Sequence, residues 1–145
     1  MKLSFLLWLA SILPQPAGDQ LCLATTVYLE ARSESRVGQM AVAEVVMRRR
    51  ESGRWGPTAC DVVRAPRQFA TTTMPEATEI LNPVAWKKAL QIAGRSLAMW
   101  SLPSNRRSFV VPDADHFILA DSSSPDWAKG PPLATIGAHN FYRIN

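Results

Sequence analysis

A predicted helix places one glutamate where a carboxylate is out of place. The helix is expected from Gln20 to about Ser33, and Leu23, Val27 and Glu30 recur on one of its faces. Carboxylates normally occupy the exposed, polar side of a helix. Burial among apolar side chains raises the pKa of a carboxyl group, so such a group can stay protonated near neutral pH. A protonated acid of this kind is what cleavage of a glycosidic bond requires, and Glu30 is the candidate.

Other interpretations of this region stay open. Glu30 could be a buried structural residue that pairs with an arginine such as Arg32 or Arg48. Glu34 follows Glu30 by four residues, so the two carboxylates could approach within roughly 5–6 Å, a separation that suits a retaining glycosidase. Glu34 is then a possible second carboxylate. Because Ser35 indicates that the helix ends there, Glu34 could equally cap the helix or pair with a neighbour.

The remaining reactive residues point to binding or structure. His116 and His139 are the only histidines, and neither lies in a zinc-binding spacing or beside an evident nucleophile. No metal site and no cofactor are expected. Trp127 and Tyr142 lie in the C-terminal part, where flat aromatic faces could stack on pyranose rings. Packing in the core is the alternative for either ring.

The elements that must position these residues are helices first and a small β element last. Further helices are predicted from Val37 to about Glu51 and from Pro83 to about Trp100, with a short helical turn over 57–63. Asp19 is expected to be the N-cap of the first helix. Short β-like segments cover 108–111, 116–119 and part of 134–144. The fold class predicted is α+β in a single domain.

The first 18 residues are typical of a targeting segment. Lys2 precedes an apolar stretch from Leu3 to Leu13, and two prolines follow. The stretch is too short to cross a bilayer, which takes roughly 20 residues. Residues 1–18 are therefore predicted to be a signal peptide or an uncleaved N-terminal anchor, and 19–145 the working domain. Gln15 makes the cleavage site imperfect, and a buried N-terminal helix is the alternative.

The cysteine content and the net charge indicate in which compartment, and with which partners, the protein is expected to work. Export would place Cys22 and Cys60 in an oxidising compartment, where they could form a disulfide; two buried free thiols are the alternative. The net charge is +4, and the basic residues cluster at 48–50 and 106–107, which are expected to be solvated faces. No nucleic-acid-binding motif accompanies them, so nucleic acid is not an expected partner.

Seven segments in order resemble the SleB-type cell wall hydrolases, the spore cortex-lytic enzyme family. They are 28–34 (YLEARSE), 38–46 (GQMAVAEVV), 60–63 (CDVV), 67–69 (RQF), 114–117 (ADHF), 127–128 (WA) and 136–142 (IGAHNFY). The resemblance covers about residues 20–143. Leu29 and Ser33 stand where the family often has small residues, and Asp115 also departs from the usual pattern before the histidine.

The resemblance implies a lysozyme-like or lytic-transglycosylase-like domain that cuts the glycan strands of peptidoglycan. Its catalytic acid would be Glu30, and one carboxylate would suffice, without a cofactor. Candidate substrate-binding residues are Gln68, Phe69, His116, Trp127, His139 and Tyr142. Such an enzyme would act as a monomer outside the cytoplasm, in the periplasm or cell envelope, with a possible membrane tether through its N-terminus; a phage lysis enzyme is one such protein.

Three alternatives to a lytic transglycosylase are kept. One is muramidase-type hydrolysis with two carboxylates. Another is a non-catalytic peptidoglycan-binding module, whose binding would survive Glu30→Gln. The last is a basic protein that disrupts membranes.

Overall fold

Five α-helices precede a three-stranded sheet, and the computed structural model describes residues 1–145. The α-helices are α1 (Leu3–Ile12), α2 (Ala17–Ala31), α3 (Arg36–Ser52), α4 (Ala59–Arg64) and α5 (Pro83–Ser101). Two 3-10 turns cover Ala70–Thr72 and Ser104–Arg106, and the strands are β1 (His116–Leu119), β2 (Ala134–Ile136) and β3 (His139–Tyr142). The α+β prediction, with helices first and a small sheet last, is confirmed.

Local capping residues set the ends of the long helices. The Ser35 hydroxyl accepts the Gly38 N–H at 3.2 Å and begins α3. This helix ends at Gly53, whose φ of 74° is a left-handed conformation that glycine adopts without a steric penalty. The Asn82 side chain accepts the Ala85 N–H at 3.0 Å and begins α5. These signals explain why both helices begin and end within one residue of their predicted limits.

Asp19 is not the N-cap that the sequence suggested. Helix α2 begins at Ala17, and Asp19 lies inside its first turn with 3% of its surface exposed. One carboxylate oxygen accepts the Cys60 N–H at 3.3 Å, and the other pairs with Arg50 Nη1 at 3.2 Å. The carboxylate therefore connects α2 to α4 and α3 and does not accept a hydrogen bond from the N–H groups of its own helix.

Helix α1 forms part of the core. Leu3, Leu6 and Ala10 are buried, and α1 packs against α2 and α4. The chain has no room for a side chain at Gly18, where a Cβ would lie 2.7 Å from the carbonyl oxygen of Ala10. None of the helices combines the length and the apolar character that crossing a bilayer requires. The signal-peptide or anchor assignment stays a prediction, and the structure adds that one face of the segment is buried while Phe5 and Trp8 on the other face are exposed.

Helix α2 is enclosed on most sides. Residues 22–28 are all buried, and α2 packs against α5, α1, α3 and α4. A smaller apolar cluster joins α3 to the sheet through Val42, Val45 and Phe141. The end of α2 that carries Glu30 therefore meets the edge of the helical core next to the sheet.

A disulfide joins α2 to α4. Cys22 and Cys60 are bonded, with their Cα atoms 5.2 Å apart, within the range that disulfide geometry allows. The predicted pairing is present, and the alternative of two free thiols is excluded. The bridge constrains the helix that carries Glu30 relative to the segment that leads to residue 70.

The sheet is antiparallel, with the strand order β1-β3-β2. Strands β2 and β3 are joined by a turn at Gly137, whose φ is 56°. The β-like segment predicted at 108–111 is not a strand. The backbone N–H groups of Val110 and Val111 donate to the buried carboxylate of Glu44 and so have no strand partner.

Candidate active site

Glu30 sits near the end of α2 in a half-buried position. Its Oε1 accepts the backbone N–H of Ala70 at 2.7 Å, at the start of the first 3-10 turn. Burial raises the pKa of Glu30, whereas the Ala70 hydrogen bond and the positive charge of His139 lower it by less. The net effect favours the protonated form at a higher pH than for an ordinary glutamate.

No arginine neutralises Glu30, so the ion-pair interpretation is excluded. The Arg32 guanidinium lies over the ring of Tyr28, 5.2 Å from its centroid. Arg48 lies over Phe109 and donates to the carbonyl of Ala114. Since neither cation reaches the Glu30 carboxylate, its half-buried position is unpaired, as a proton donor requires.

Glu30 opens onto a cavity of about 240 Å³, which is also lined by Glu34, Leu119 and His139. Glu34 does not cap its own helix. Its Oε1 accepts the N–H of Ala138 at 3.0 Å and lies 3.3 Å from Nδ1 of His139. Of the predicted site residues, the structure brings Glu30, Glu34 and His139 together.

The sheet separates His116 and Tyr142 from this group. In the β1–β3 register His116 pairs with Tyr142, and Phe117 pairs with Phe141, so each pair projects from one face. Phe117 packs edge-on against His139 at 5.3 Å, on the face towards Glu30. His116 and Tyr142 are on the opposite face.

A second aromatic group forms on that opposite face. The ring of Trp127 lies 4.9 Å from His116 and 5.7 Å from Tyr142. Trp55 adds an edge-on contact to His116 at 6.4 Å. The six predicted substrate-binding residues do not form one group, because His139 lines the Glu30 cavity whereas His116, Trp127 and Tyr142 belong to this cluster.

Burial changes the roles that three of the candidates can have. Phe69, His139 and Tyr142 are 4%, 2% and 7% exposed, respectively. Side chains so enclosed offer little contact area to a sugar, and the assignment of these three residues to substrate binding stays a prediction. Gln68 is exposed and Trp127 is half-buried, so both remain accessible to a ligand.

Sequence reasoning missed Arg49. It belongs to the basic run 48–50, which was expected to be solvated, yet it is 4% exposed. Its guanidinium lies 4.8 Å from the ring centroids of both Trp55 and Phe69. It donates to the Asp115 carbonyl at 2.7 Å and to Gln68 Oε1 at 3.1 Å. Burial lowers the pKa of Arg49 to about 10, and the Asp115 charge opposes that shift.

Asp115 organises the start of β1 and the end of the chain. Its carboxylate accepts the N–H groups of Ile144 and Asn145 at 2.8 and 2.9 Å and contacts His116 Nδ1 at 2.9 Å. Burial alone would raise the pKa of Asp115, but these hydrogen bonds outweigh it and the pKa is lowered. Burial lowers the pKa of His116, which keeps the ring neutral, although Asp115 opposes this. The adjacent Asp-His pair was the available signal in the sequence.

No group of three or more histidine, cysteine or acidic side chains is arranged to hold a metal ion. The polar side chains that line the cavity are Glu30, Glu34, His139, Arg32 and Ser33.

Sequence comparison and structure comparison both relate the chain to bacterial cell wall hydrolases. The profile of the cell wall hydrolase family matches residues 33–142. The chain is 28% identical to the spore cortex-lytic enzyme of Bacillus cereus and 30% identical to that of Oceanobacillus iheyensis, over 123 residues in each case. That alignment covers 85% of this chain but only 43% and 41% of the two relatives. The chain thus spans less than half the length of these relatives.

Two solved structures share the fold. One is the catalytic domain of the germination-specific lytic transglycosylase SleB from Bacillus anthracis, with a TM-score of 0.69 and 23% identity over 90% of this chain and all of that one. The other is the catalytic domain of the Bacillus cereus SleB protein, with a TM-score of 0.63 and 25% identity over 86% of this chain and 89% of that one.

Proposed function

Because the chain belongs to the cell wall hydrolase family, we propose that it cleaves the glycan strands of peptidoglycan with Glu30 as its general acid. The observation that carries the proposal is the state of Glu30. It is half-buried, its pKa is raised by burial, no cation pairs with it, and it lines an open cavity. The name of the Bacillus anthracis structure, a lytic transglycosylase, supports that activity in particular.

The proposed reaction needs one carboxylate. Protonated Glu30 gives its proton to the oxygen that joins N-acetylmuramic acid to N-acetylglucosamine, and the bond to the muramic C1 breaks with oxocarbenium character. Glu30, now a carboxylate, takes the proton of the C6 hydroxyl as O6 bonds to C1. The product is a 1,6-anhydro sugar, no water is consumed, and Glu30 is protonated again.

Muramidase-type hydrolysis would need a second carboxylate, either to activate a water molecule or to form a covalent glycosyl intermediate. Glu34 is the nearest candidate, but its Oε1 is already occupied by Ala138 and His139. The single-acid route is therefore favoured. A non-catalytic binding module of the same fold is the other alternative, and it predicts no soluble products at all.

The test is digestion of purified peptidoglycan by the full chain, with the products weighed by mass spectrometry. Glu44→Gln is a matched control, because Glu44 is a buried glutamate with a pKa raised by burial that lies outside the Glu30 cavity. Anhydro-muropeptides are expected from the wild type. Glu30→Gln should lose about 10²–10⁴-fold in rate, whereas folded Glu44→Gln should keep most of it.

Three results would overturn the proposal. Reducing-end products one water heavier would indicate a hydrolase. Equal activity of wild type and Glu30→Gln would show that Glu30 is not the general acid. An absence of products from both proteins would favour the non-catalytic binding module.

We propose that the protein works outside the cytoplasm, in the periplasm or cell envelope, with residues 1–18 as its export signal. The packing of Leu3, Leu6 and Ala10 in the core supports retention of the segment, because removal would expose the apolar surface beneath it. Phe5 and Trp8 are 48% and 55% exposed on its outer side, which suits a peripheral membrane tether. The intact mass of protein recovered from the envelope distinguishes retention from cleavage, and flotation with vesicles tests the tether against Trp8→Ser.

The finer assignments concern assembly and lysis. We propose that the domain acts as a monomer, which light scattering tests directly. A role in cell lysis, as in a phage endolysin, predicts that expression of the full chain clears a culture of a bacterial host and that Glu30→Gln does not.

A further inference from the structure

The Glu34 carboxylate is enclosed by the turn between β2 and β3. Its Oε1 accepts the Ala138 N–H at 3.0 Å, and only 14% of the side chain is exposed. The turn accommodates it because residue 137 is glycine, with φ at 56°. A Cβ at Gly137 would overlap Oε2 of Glu34. Movement of this carboxylate towards a sugar carbon would therefore break the hydrogen bond from Ala138.

The same carboxylate faces the ring of His139. Glu34 Oε1 lies 3.3 Å from Nδ1, within ion-pair distance, although the buried Nδ1 makes no hydrogen bond in this orientation. The His139 side chain is 2% exposed and is held edge-on by Phe117. A carboxylate beside Nδ1 favours the tautomer that carries its proton there and fixes the orientation of the ring.

His139 in turn acts on Glu30. The two residues line one cavity, and the positive charge of His139 lowers the pKa of Glu30, against the larger effect of burial. Displacing the His139 ring would therefore change the electrostatic environment of Glu30 without touching Glu30 itself.

We propose that Glu34 is a positioning residue that holds the His139 ring and the Gly137 turn against Glu30, and that it is not a second catalytic carboxylate. The inference rests on the proposed function only in taking Glu30 as the acid. The contacts of Glu34 are independent of the reaction, so they can be tested without an activity assay.

The first test is spectroscopic. The full chain, labelled with ¹⁵N-histidine, contains two rings, and each has a carboxylate next to Nδ1: Glu34 for His139 and Asp115 for His116. Measured well above the ordinary histidine titration range, Glu34→Gln should move the His139 ring resonances towards the Nε2–H tautomer, because the neutral amide lacks the negative charge that favours a proton on Nδ1. The His116 resonances are the internal control and should not move. Unchanged His139 resonances would overturn the proposal.

The second test separates positioning from catalysis. Glu34→Gln is expected to lower kcat about tenfold, as removal of an outer-shell partner does, with KM changed less than about twofold and anhydro products retained. A loss as large as that of Glu30→Gln, or a change of product, would make Glu34 a catalytic carboxylate. Full activity of Glu30→Gln would instead refute the proposed function and leave the His139 signature intact.

A glycine pair supplies a matched control. Gly137 and Gly130 both have positive φ values, 56° and 72°, but only Gly137 lies against Glu34, since a Cβ at Gly130 meets nothing within 4 Å. Gly137→Ala should reproduce the His139 resonance change and the kcat loss, and Gly130→Ala should do neither. If the two variants behave alike, backbone strain alone accounts for the effect and the proposal fails. Should Gly137→Ala not fold, the Glu34→Gln spectrum decides.

Discussion

Removing the Cys22–Cys60 disulfide should destabilise the protein by an amount that follows from the loop it closes. The two cysteines are 38 residues apart in sequence. The chain-entropy relation gives about 4 kcal/mol for a loop of that length. A domain of this size has a free energy of unfolding of about 5–15 kcal/mol, so the bridge is a large part of its stability. The corresponding fall in Tm is roughly 10–15 °C.

The assay is urea unfolding of the Cys22→Ala/Cys60→Ala variant beside the oxidised wild type. The reduced wild type should match the variant, and adding reductant to the variant should change nothing. Cys22 lies two helical turns before Glu30 on α2, so glycan cleavage should persist in the variant at temperatures where it stays folded. A loss of stability below about 1 kcal/mol would refute the loop-entropy reasoning.

Three further changes test the charges around the site. Burial raises the pKa of folded Glu30 above its unfolded value, so its stabilising effect is present at low pH and lost as the pH rises through the folded value. Glu30→Gln should therefore be more stable than wild type by about 1 kcal/mol at neutral pH. At a pH below the ordinary pKa of glutamate, the two proteins should be equally stable. Denaturant unfolding at both pH values checks this. The pKa of Asp115 is lowered, so its contribution is present at neutral pH and lost as the pH falls. Asp115→Asn should destabilise by about 1–3 kcal/mol at neutral pH and less in acid, as thermal melts at both pH values would show. Arg49→Lys should cost about 2 kcal/mol in urea unfolding, because lysine cannot stack between Trp55 and Phe69 while donating to two acceptors.

Local signals made most of the helices predictable. The Ser35 cap and the Asn82-Pro83 start are satisfied within a few residues of themselves, so no tertiary information was needed. The β-like segment at 108–111 failed for the opposite reason. Its N–H groups are taken by Glu44, which is more than sixty residues away in sequence. Asp19 was misassigned as a cap because its partners, Cys60 and Arg50, also come from distant helices.

The sequence indicated individual candidate residues of the site, but not which of them lie together in the fold. Periodicity singled out Glu30, and its burial follows from the enclosed position of α2. Strand register decides which of His116 and His139 faces Glu30, and register is not readable from segments this short. Arg49 was hidden within a basic run because exposure depends on which helical face meets the sheet. Strand register and the burial of Arg49 both depend on contacts between segments that are far apart in the sequence.

The position of Glu30 on an enclosed helix accounts both for its burial and for the acid role proposed for it. A carboxyl group on an enclosed helix loses hydration, and a full set of hydrogen-bond donors or an arginine would restore the ordinary pKa. Here the compensation is partial, with one backbone N–H from Ala70 and the charge of His139. A stronger partner would stabilise the fold and keep Glu30 ionised, which would remove the proton that the reaction needs. The proposed role of Glu34 fits this balance, because its contact orients the His139 ring beside the Glu30 cavity and leaves the Glu30 carboxyl without a direct side-chain partner.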